Sequence, residues 1–440
     1  MNVYTQADRF AGTVLVAQHG VPIFGRAYGF ANREWRIANT LETKFRIASV
    51  TKQFTAVAIL QLGEQGRLSL DDPVSKYYTG APSAWASISL HHLLTHTSGI
   101  PSYTNAPLSE LYSSSRIDRA PEALIALTRD KPLEFLPGSK FAYDNTGYLL
   151  LGQIIEKVSG QSYPVYLENC IFGPLGMHHT GYDENTQILP ARASGYKLDN
   201  RGLRNAYFIS MTQPYAAGSL YSTAGDLLIW DQALHASKVI SASSVAAMFT
   251  DYGFGYGFGE YISKMQGHLV WGHAGGINGF TSKLTRYPAE ELTVIVLSNL
   301  ENAEVDKITE ELAEIAFGEW VKPSEITLAP TILDQYTGAY LLAPGAVLRV
   351  RREGDHLTIQ FTRRGKAALY ASGQGAFFAK VVDSKLVFDP PVDGKSGRVL
   401  YTEHGVERPA PRITEERATQ IENAVLSIRD ALEGRSATSR

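Results

Sequence analysis

Strand-like segments stand at both ends of the first 320 residues, and the stretch between them repeats its apolar residues at helical spacing. Residues 12–18 (GTVLVAQ) and 23–28 read as two strands joined by a His19-Gly20 turn. Residues 279–287 and 292–299 are two further strand candidates. Between them, 48–65 carries Val50, Phe54, Val57, Ala58, Gln61 and Leu62 near one stripe, with Gly66 as a stop signal. Residues 145–159 repeat Tyr148, Leu151, Ile154, Ile155 and Val158 in the same way and end at Gly160, and 305–317 form an amphipathic helix. Strands outside and helices inside describe an α/β layer with a helical insertion at roughly 53–255, which would leave a cleft between the two parts.

The pattern changes after Pro323. Short alternating runs at 347–351, 356–361, 377–382 and 398–401 are separated by Gly, Asp and Pro turns, which predicts a small antiparallel barrel or sandwich over 333–412. One helix follows over 414–432, with Ile421, Val425, Ile428 and Leu432 on a common stripe, and the closing GRSATSR reads as disordered. At 440 residues the chain is too long for one ordinary core. The expected division is an α/β domain over 1–325, an all-β domain over 326–412, and a helix and tail over 413–440.

Composition removes several functions. With 44% hydrophobic and 19% charged residues the chain reads as soluble and globular, and a net charge of −3 without a dense Lys/Arg run gives no support for nucleic-acid binding. The strongly apolar stretch 292–297 is far short of the ~20 residues a membrane span needs. The start, MNVYTQADRFAGTVLV, has no basic segment followed by an apolar signal core. Either the protein is made without a secretory signal and is cytoplasmic, or Met1 replaces a signal that was removed and it is periplasmic or secreted. The single cysteine, Cys170, excludes an internal disulfide and a Cys-rich metal site; set before Ile171 and Phe172, it reads as a buried structural thiol.

Three short motifs carry chemistry. Ser49-Val50-Thr51-Lys52 opens a helix, so the hydroxyl and the amine share a face. A desolvated lysine can take the proton that makes serine a nucleophile, and a helix N-terminus favours developing negative charge. The same spacing recurs at Ser194–Lys197, in a Gly/Asn/Asp-rich loop, where it reads as chance. Tyr143-Asp144-Asn145 precedes the second helix; a tyrosine beside a lysine can ionise at lower pH and act as base, while the asparagine amide orients its neighbours. Its duplicate at Tyr103-Thr104-Asn105 reads as a flexible surface turn. Gly272-His273-Ala274-Gly275-Gly276 stands directly before the strand at 279–287, and its glycines would let backbone N–H groups approach a substrate as an oxyanion hole requires. There is no G-x-S-x-G elbow, and the His91-His92 and His178-His179 pairs lack the spacing of a zinc helix.

Together, and in this order, the motifs resemble the serine β-lactamase and penicillin-binding protein superfamily on its class C side, which includes D-aminopeptidases, D-amino-acid amidases, DD-peptidases and family VIII carboxylesterases. The resemblance spans about residues 8–320 and extends to LLTHTSGI at 93–100, PLGM at 174–177, AGSLYS at 217–222 and YGFG at 256–259. Region 333–412 is similar to the lipocalin-like barrel appended to many of these hydrolases. The resemblance implies an antiparallel sheet flanked by helices, with the third motif on the strand lining the site. Ser49 would be acylated, with Lys52 and Tyr143 sharing its proton. Asn145 would bind a substrate amide or hold Lys52, and the N–H groups of Ser49 and Gly276 would hold the oxyanion beside His273 and Gly275. No metal or cofactor is implied, the partner is a small peptide or ester substrate, and a homo-oligomer stays open. One departure matters: His273 stands where β-lactamases and DD-peptidases carry a lysine that binds a substrate carboxylate, and a histidine is only partly charged near neutral pH. This favours a peptidase, amidase or esterase, with a β-lactamase or DD-peptidase as the alternative. A non-catalytic sensor module is the alternative of another class.

Overall fold

The computed structural model describes residues 1–106, 115–362 and 364–432, with side chains of the last helix as far as Val425. Its Cα atoms gather into two units. One comprises Ala11–Tyr196 and Asn205–Ala313; the other comprises Met1–Phe10, Lys197–Arg204 and the chain from Glu314 onward.

In the first unit, β1 (Gly12–Gln18) and β2 (Val21–Tyr28) form a hairpin whose two turn residues, His19 and Gly20, both have positive φ (51° and 76°). That is the type I′ geometry that matches strand twist. After the helices α1 (Thr51–Glu64), α2 (Asn145–Ser159) and α3 (Ala224–His235) come β3 (Tyr261–Met265), β4 (His268–Ile277), β5 (Phe280–Tyr287) and β6 (Leu292–Ser298), then α4 (Val305–Phe317). The six strands form one antiparallel sheet in the order β3-β4-β5-β6-β1-β2. Late strand meets early strand directly, from Gly12 opposite Ser298 to Gln18 opposite Leu292.

Every residue of β6 is buried, so the sheet is covered on both faces. On one face Asp231 of α3 accepts hydrogen bonds from Arg286 Nη1 (2.8 Å) and Thr293 Oγ1 (2.7 Å). On the other, Lys283 of β5 pairs with Asp306 of α4. Residues 283 and 286 differ by an odd number, which puts their side chains on opposite faces of the strand.

Helix α1 departs from the expected single stripe. It is buried from Thr51 to Leu60 on all sides, because sheet and helices enclose it together. Buried polar atoms on it find partners: Thr55 Oγ1 donates to the Ala216 carbonyl (2.7 Å), and Gln53 Oε1, though not its Nε2, is paired, accepting from Trp230 Nε1 (2.8 Å), whose ring stacks on Phe54 at 4.1 Å. Strands β3 and β4 also escaped the residue pattern. Glycines at 272, 275 and 276 break the alternation that marks a strand, so the residue pattern put the third motif just ahead of a strand; it lies inside one, as the family resemblance implied.

The second unit contains a closed barrel of eight strands: β7 (Gly338–Ala343), β8 (Ala346–Glu353), β9 (His356–Phe361), β10 (Ala367–Gly373), β11 (Ala376–Phe378), β12 (Lys385–Phe388), β13 (Arg398–Glu403) and β14 (Val406–Ile413). Closure is made by Ala339 opposite Ile413 and Tyr340 opposite Arg412. The strand expected over 377–382 stops at Phe378, where Ala379 N–H bonds the Ser384 carbonyl and turns the chain. Tyr336, Tyr340, Leu348, Leu369, Phe377, Phe388 and Tyr401 fill the core. Helix α5 (Glu415–Leu432) lays Ala418 and Ile421 against Ala339 and Val347, and Arg349 grips Glu422 with two nitrogens (2.8 and 2.7 Å). The expected tail at 434–440 and the side chains of Ile428 and Leu432 lie outside the described residues. Among the described residues no helix is long and apolar enough to cross a membrane.

Candidate active site

Ser49 sits in a single 3₁₀ turn, Ala48–Val50, that leads into α1. The turn is strained: Ala48 has φ 45°, a left-handed value that costs a residue with a Cβ about 1–3 kcal/mol. Two bonds to the preceding residue sustain it. Ile47 N–H donates to the Leu220 carbonyl (2.9 Å), and Ser282 Oγ of β5 donates to the Ile47 carbonyl (2.7 Å). Ser49 is thereby held against the sheet and partly exposed.

Lys52 is fully buried one turn further on. Its Nζ faces three oxygens: the Ala217 carbonyl (2.8 Å), Asn145 Oδ1 (2.9 Å) and Ser49 Oγ (3.2 Å). Burial holds the ammonium well below its ordinary pKa, and the nearby Asp144 carboxylate pulls it back only in part. In the neutral amine, two N–H bonds must go to Asn145 Oδ1 and the Ala217 carbonyl, because neither oxygen can donate. The nitrogen lone pair is then left facing the Ser49 hydroxyl, the one partner of the three that can give a proton.

Tyr143 lies beside this pair. Lys52 Nζ stands 4.8 Å from the centroid of its ring. Its hydroxyl is buried and makes no hydrogen bond of regular geometry, and Ser49 is the side chain whose hydrogen-bonding interaction favours its ionised form. Burial prevails and pushes the phenol up, opposite to the expectation that Lys52 would help it ionise. The lysine lies over the face of the ring, and no hydrogen bond joins its nitrogen to the phenol oxygen in the resting site.

Asp144 and Asn145 open α2. Asp144 caps it, accepting from Thr146 N–H (2.7 Å) and Gly147 N–H (2.9 Å), and burial pushes its carboxyl up to about 7. Asn145 uses both ends of its amide: Oδ1 takes Lys52, and Nδ2 donates to Thr104 Oγ1 (3.0 Å). Thr104 belongs to the duplicate Tyr-x-Asn, which is a 3₁₀ turn packed on the helix start and not a flexible surface loop. Tyr103 is buried, its N–H donates to Thr146 Oγ1 (2.9 Å) and its hydroxyl to the Gln213 carbonyl (2.7 Å). The second Ser-x-x-Lys is no helix turn either: Tyr196–Asp199 is a strand, so Ser194 and Lys197 share no helical face.

Strand β4 forms the opposite wall. A Cβ on Gly275 would stand 2.2 Å from the Ile47 carbonyl oxygen and 2.5 Å from Ser282 Oγ, so only glycine lets the strand pass this close to the Ser49 turn. Gly276 is exposed and has nothing within 4 Å of a Cβ. Gly275→Ala is therefore expected to cost about 3 kcal/mol in a denaturant titration, with loss of activity. Gly276→Ala is expected to stay within about 0.5 kcal/mol of the parent.

His273 is buried on the face that carries Lys52. The sequence suggested a partly charged imidazole; burial, helped by the charge of Lys52, pushes it down to about 3 and keeps it neutral. It closes a chain of bonds that runs from Asp144 N to His96 Nδ1 (3.0 Å), from His96 Nε2 to Tyr256 Oη (3.2 Å) and from Tyr256 Oη to His273 Nε2 (3.1 Å). Tyr256, the Ala217 carbonyl and Thr104 had no assigned role in the sequence. The YGFG and AGSLYS stretches pointed at the first two without saying what they do.

A sequence profile described as beta-lactamase matches residues 3–317. The chain belongs to the β-lactamase family. Residues 322–415 of this β-lactamase-family protein match a second profile, described only as a domain of unknown function. The chain is 30% identical over 444 aligned residues to penicillin-binding protein 4* of Bacillus subtilis, covering 92% of this chain and 96% of that one. The octameric penicillin-binding protein homologue from Pyrococcus abyssi superposes with a TM-score of 0.68 at 28% identity, over 93% of this chain and 98% of its own. A D-stereospecific amidohydrolase from Streptomyces superposes with a TM-score of 0.62 at 26% identity, over 73% and 99%. The β-lactamase family is one of serine hydrolases, and its mixed α/β fold is joined in this chain by a separate closed barrel.

Proposed function

We propose that this protein is a hydrolase that passes through an acyl-enzyme on Ser49 and acts on small amide, peptide or ester substrates, those of D-amino acids among them. The observation that carries the reading is Lys52, buried with two pure acceptors and its third direction on Ser49 Oγ. The Ser49 oxygen attacks the carbonyl carbon while its proton passes to neutral Lys52. Tyr143, kept as a phenol by burial, relays a proton to the leaving group and regains one from Lys52. The N–H groups of Ser49 and Gly276 hold the oxyanion. Water then attacks the ester carbon, its proton goes to the same base, and Ser49 leaves with a proton restored.

A neutral His273 supports uncharged amides and esters over β-lactams, whose carboxylate has no fixed cation at this position. The D-stereospecific amidohydrolase among the similar structures supports the D-amino-acid option, and the octameric homologue supports a homo-oligomer. Penicillin-binding protein 4* favours a second reading, acylation by penicillins. A panel of p-nitroanilides and p-nitrophenyl esters of D- and L-amino acids, run beside nitrocefin, separates the two. The expected result is turnover of an ester or D-amino-acid amide with kcat/KM at least about tenfold above that for nitrocefin. Rapid nitrocefin turnover would reverse the order, and stoichiometric binding without turnover would indicate a sensor.

A further inference from the structure

Four elements meet at His273 through hydrogen bonds whose proton order is fixed. The N–H of Asp144 can only donate, so His96 Nδ1 is the acceptor and the proton of that imidazole sits on Nε2. His96 Nε2–H therefore donates to Tyr256 Oη, and the Tyr256 hydroxyl gives its own proton to His273 Nε2, the open acceptor of a ring whose Nδ1 faces a carbonyl. His273 in turn keeps its proton on Nδ1, bonded to the Ala274 carbonyl. All three side chains are buried, so water cannot replace a missing partner.

We propose that Tyr256 and His96 are positioning residues that lock His273 in its uncharged Nδ1–H tautomer, and that this lock makes the cleft favour substrates without a carboxylate next to the scissile bond. The proposal rests on the acyl-enzyme reading above for its substrate half and on the hydrogen-bond order alone for its tautomer half. A proton arriving at His273 Nε2 would leave that atom and His96 Nε2 both donating to one phenol oxygen, and the phenol proton would have to turn to the Tyr148 hydroxyl, whose own proton is committed to the Leu94 carbonyl. The rings around His273 are those of Tyr143 (6.0 Å), Tyr256 (5.9 Å) and Tyr261 (5.1 Å). Lys52 of α1 also opposes a further positive charge there whenever it carries its own proton. The same chain ties the Asp144 backbone, next to Tyr143, to the strand that carries Gly275 and Gly276. Loss of the hydroxyl thus frees two walls of the site at once.

The test is Tyr256→Phe in the full-length protein, with His96→Gln as the second variant. Glutamine can accept from Asp144 N–H through its carbonyl and donate to Tyr256 through its amide, so it keeps the proton order. Long-range ¹H–¹⁵N spectra of the histidine rings, recorded from pH 5 to 8, read the tautomer without reference to activity. The parent and His96→Gln are expected to show His273 as one neutral tautomer throughout, and Tyr256→Phe is expected to show a mixture or a titrating ring. In kinetics, the ratio of kcat/KM for a neutral ester to that for its carboxylate-bearing analogue is expected to stay flat with pH in the parent. In Tyr256→Phe it is expected to fall about tenfold toward pH 5, the ratio equivalent to one pK unit. An unchanged tautomer in Tyr256→Phe, or a parent already mixed, overturns the lock. A broken lock with an unaltered substrate ratio overturns the selectivity half. If no variant or parent turns over any ester, the acyl-enzyme reading fails while the spectra still decide the tautomer.

Discussion

Replacing Ser49 with alanine is expected to lower kcat/KM by about 10⁴-fold or more on every substrate the parent hydrolyses, because the oxygen proposed to carry the acyl group is removed. The fold is expected to survive. The strain of the turn lies in the Ala48 backbone and is held by Ile47 bonds that do not involve the serine side chain. Lys52 loses the longest of its three contacts, 3.2 Å, and keeps the two acceptors at 2.8 and 2.9 Å. Steady-state kinetics beside a thermal melt separates lost chemistry from lost folding. Ser194→Ala is the matched control: its Oγ accepts from Asn32 Nδ2 in a loop, and its activity is expected to equal the parent's.

Lys52→Met is expected to cost about 10³-fold, within the range for loss of a positioned general base. The pH profile carries more information than the size of the loss. The base must be neutral, so kcat/KM should rise with pH as the ammonium loses its proton. That limb should lie well below the usual lysine range, because burial depresses the group. In Lys52→Met the limb should vanish. Asp144 sets its position: its negative charge raises Lys52, so Asp144→Asn, which keeps an oxygen for the α2 cap, should move the limb to lower pH. A limb that stays in place would mean that another group reports there. The Asp144 carboxyl is itself pushed up to about 7, so its charge acts on Lys52 only where it is ionised.

Much of the framework could be read from residue pattern. The hairpin at His19-Gly20, the helix closed by Gly160 with φ 76°, and α4 over Val305–Phe317 all follow from local signals, namely a two-residue turn, a left-handed cap and an amphipathic repeat. What escaped was set by long-range packing. α1 shows a stripe in sequence but is buried all round, since its polar residues find partners on Trp230, Ala216 and Tyr163 far along the chain. β4 was hidden by the glycines that let it approach Ile47.

The site followed the same division. Ser49, Lys52, Tyr143, Asn145, His273, Gly275 and Gly276 were legible as residues, and the structure brings Ser49, Lys52, Tyr143 and Asn145 into one cluster. Their protonation was not legible. Tyr143 is pushed up and His273 down by burial, which a motif does not record. Thr104 looked like surface because its neighbours are small and polar, yet it holds the Asn145 amide.

The most direct test of the acyl-enzyme on Ser49 is intact-protein mass spectrometry during steady-state hydrolysis of an activated ester, followed by peptide mapping. The account predicts one added acyl mass, on the peptide that contains Ser49, appearing within a turnover, decaying as substrate is exhausted, and absent from Ser49→Ala. Continued turnover with no adduct, or an adduct on any other residue, would contradict it.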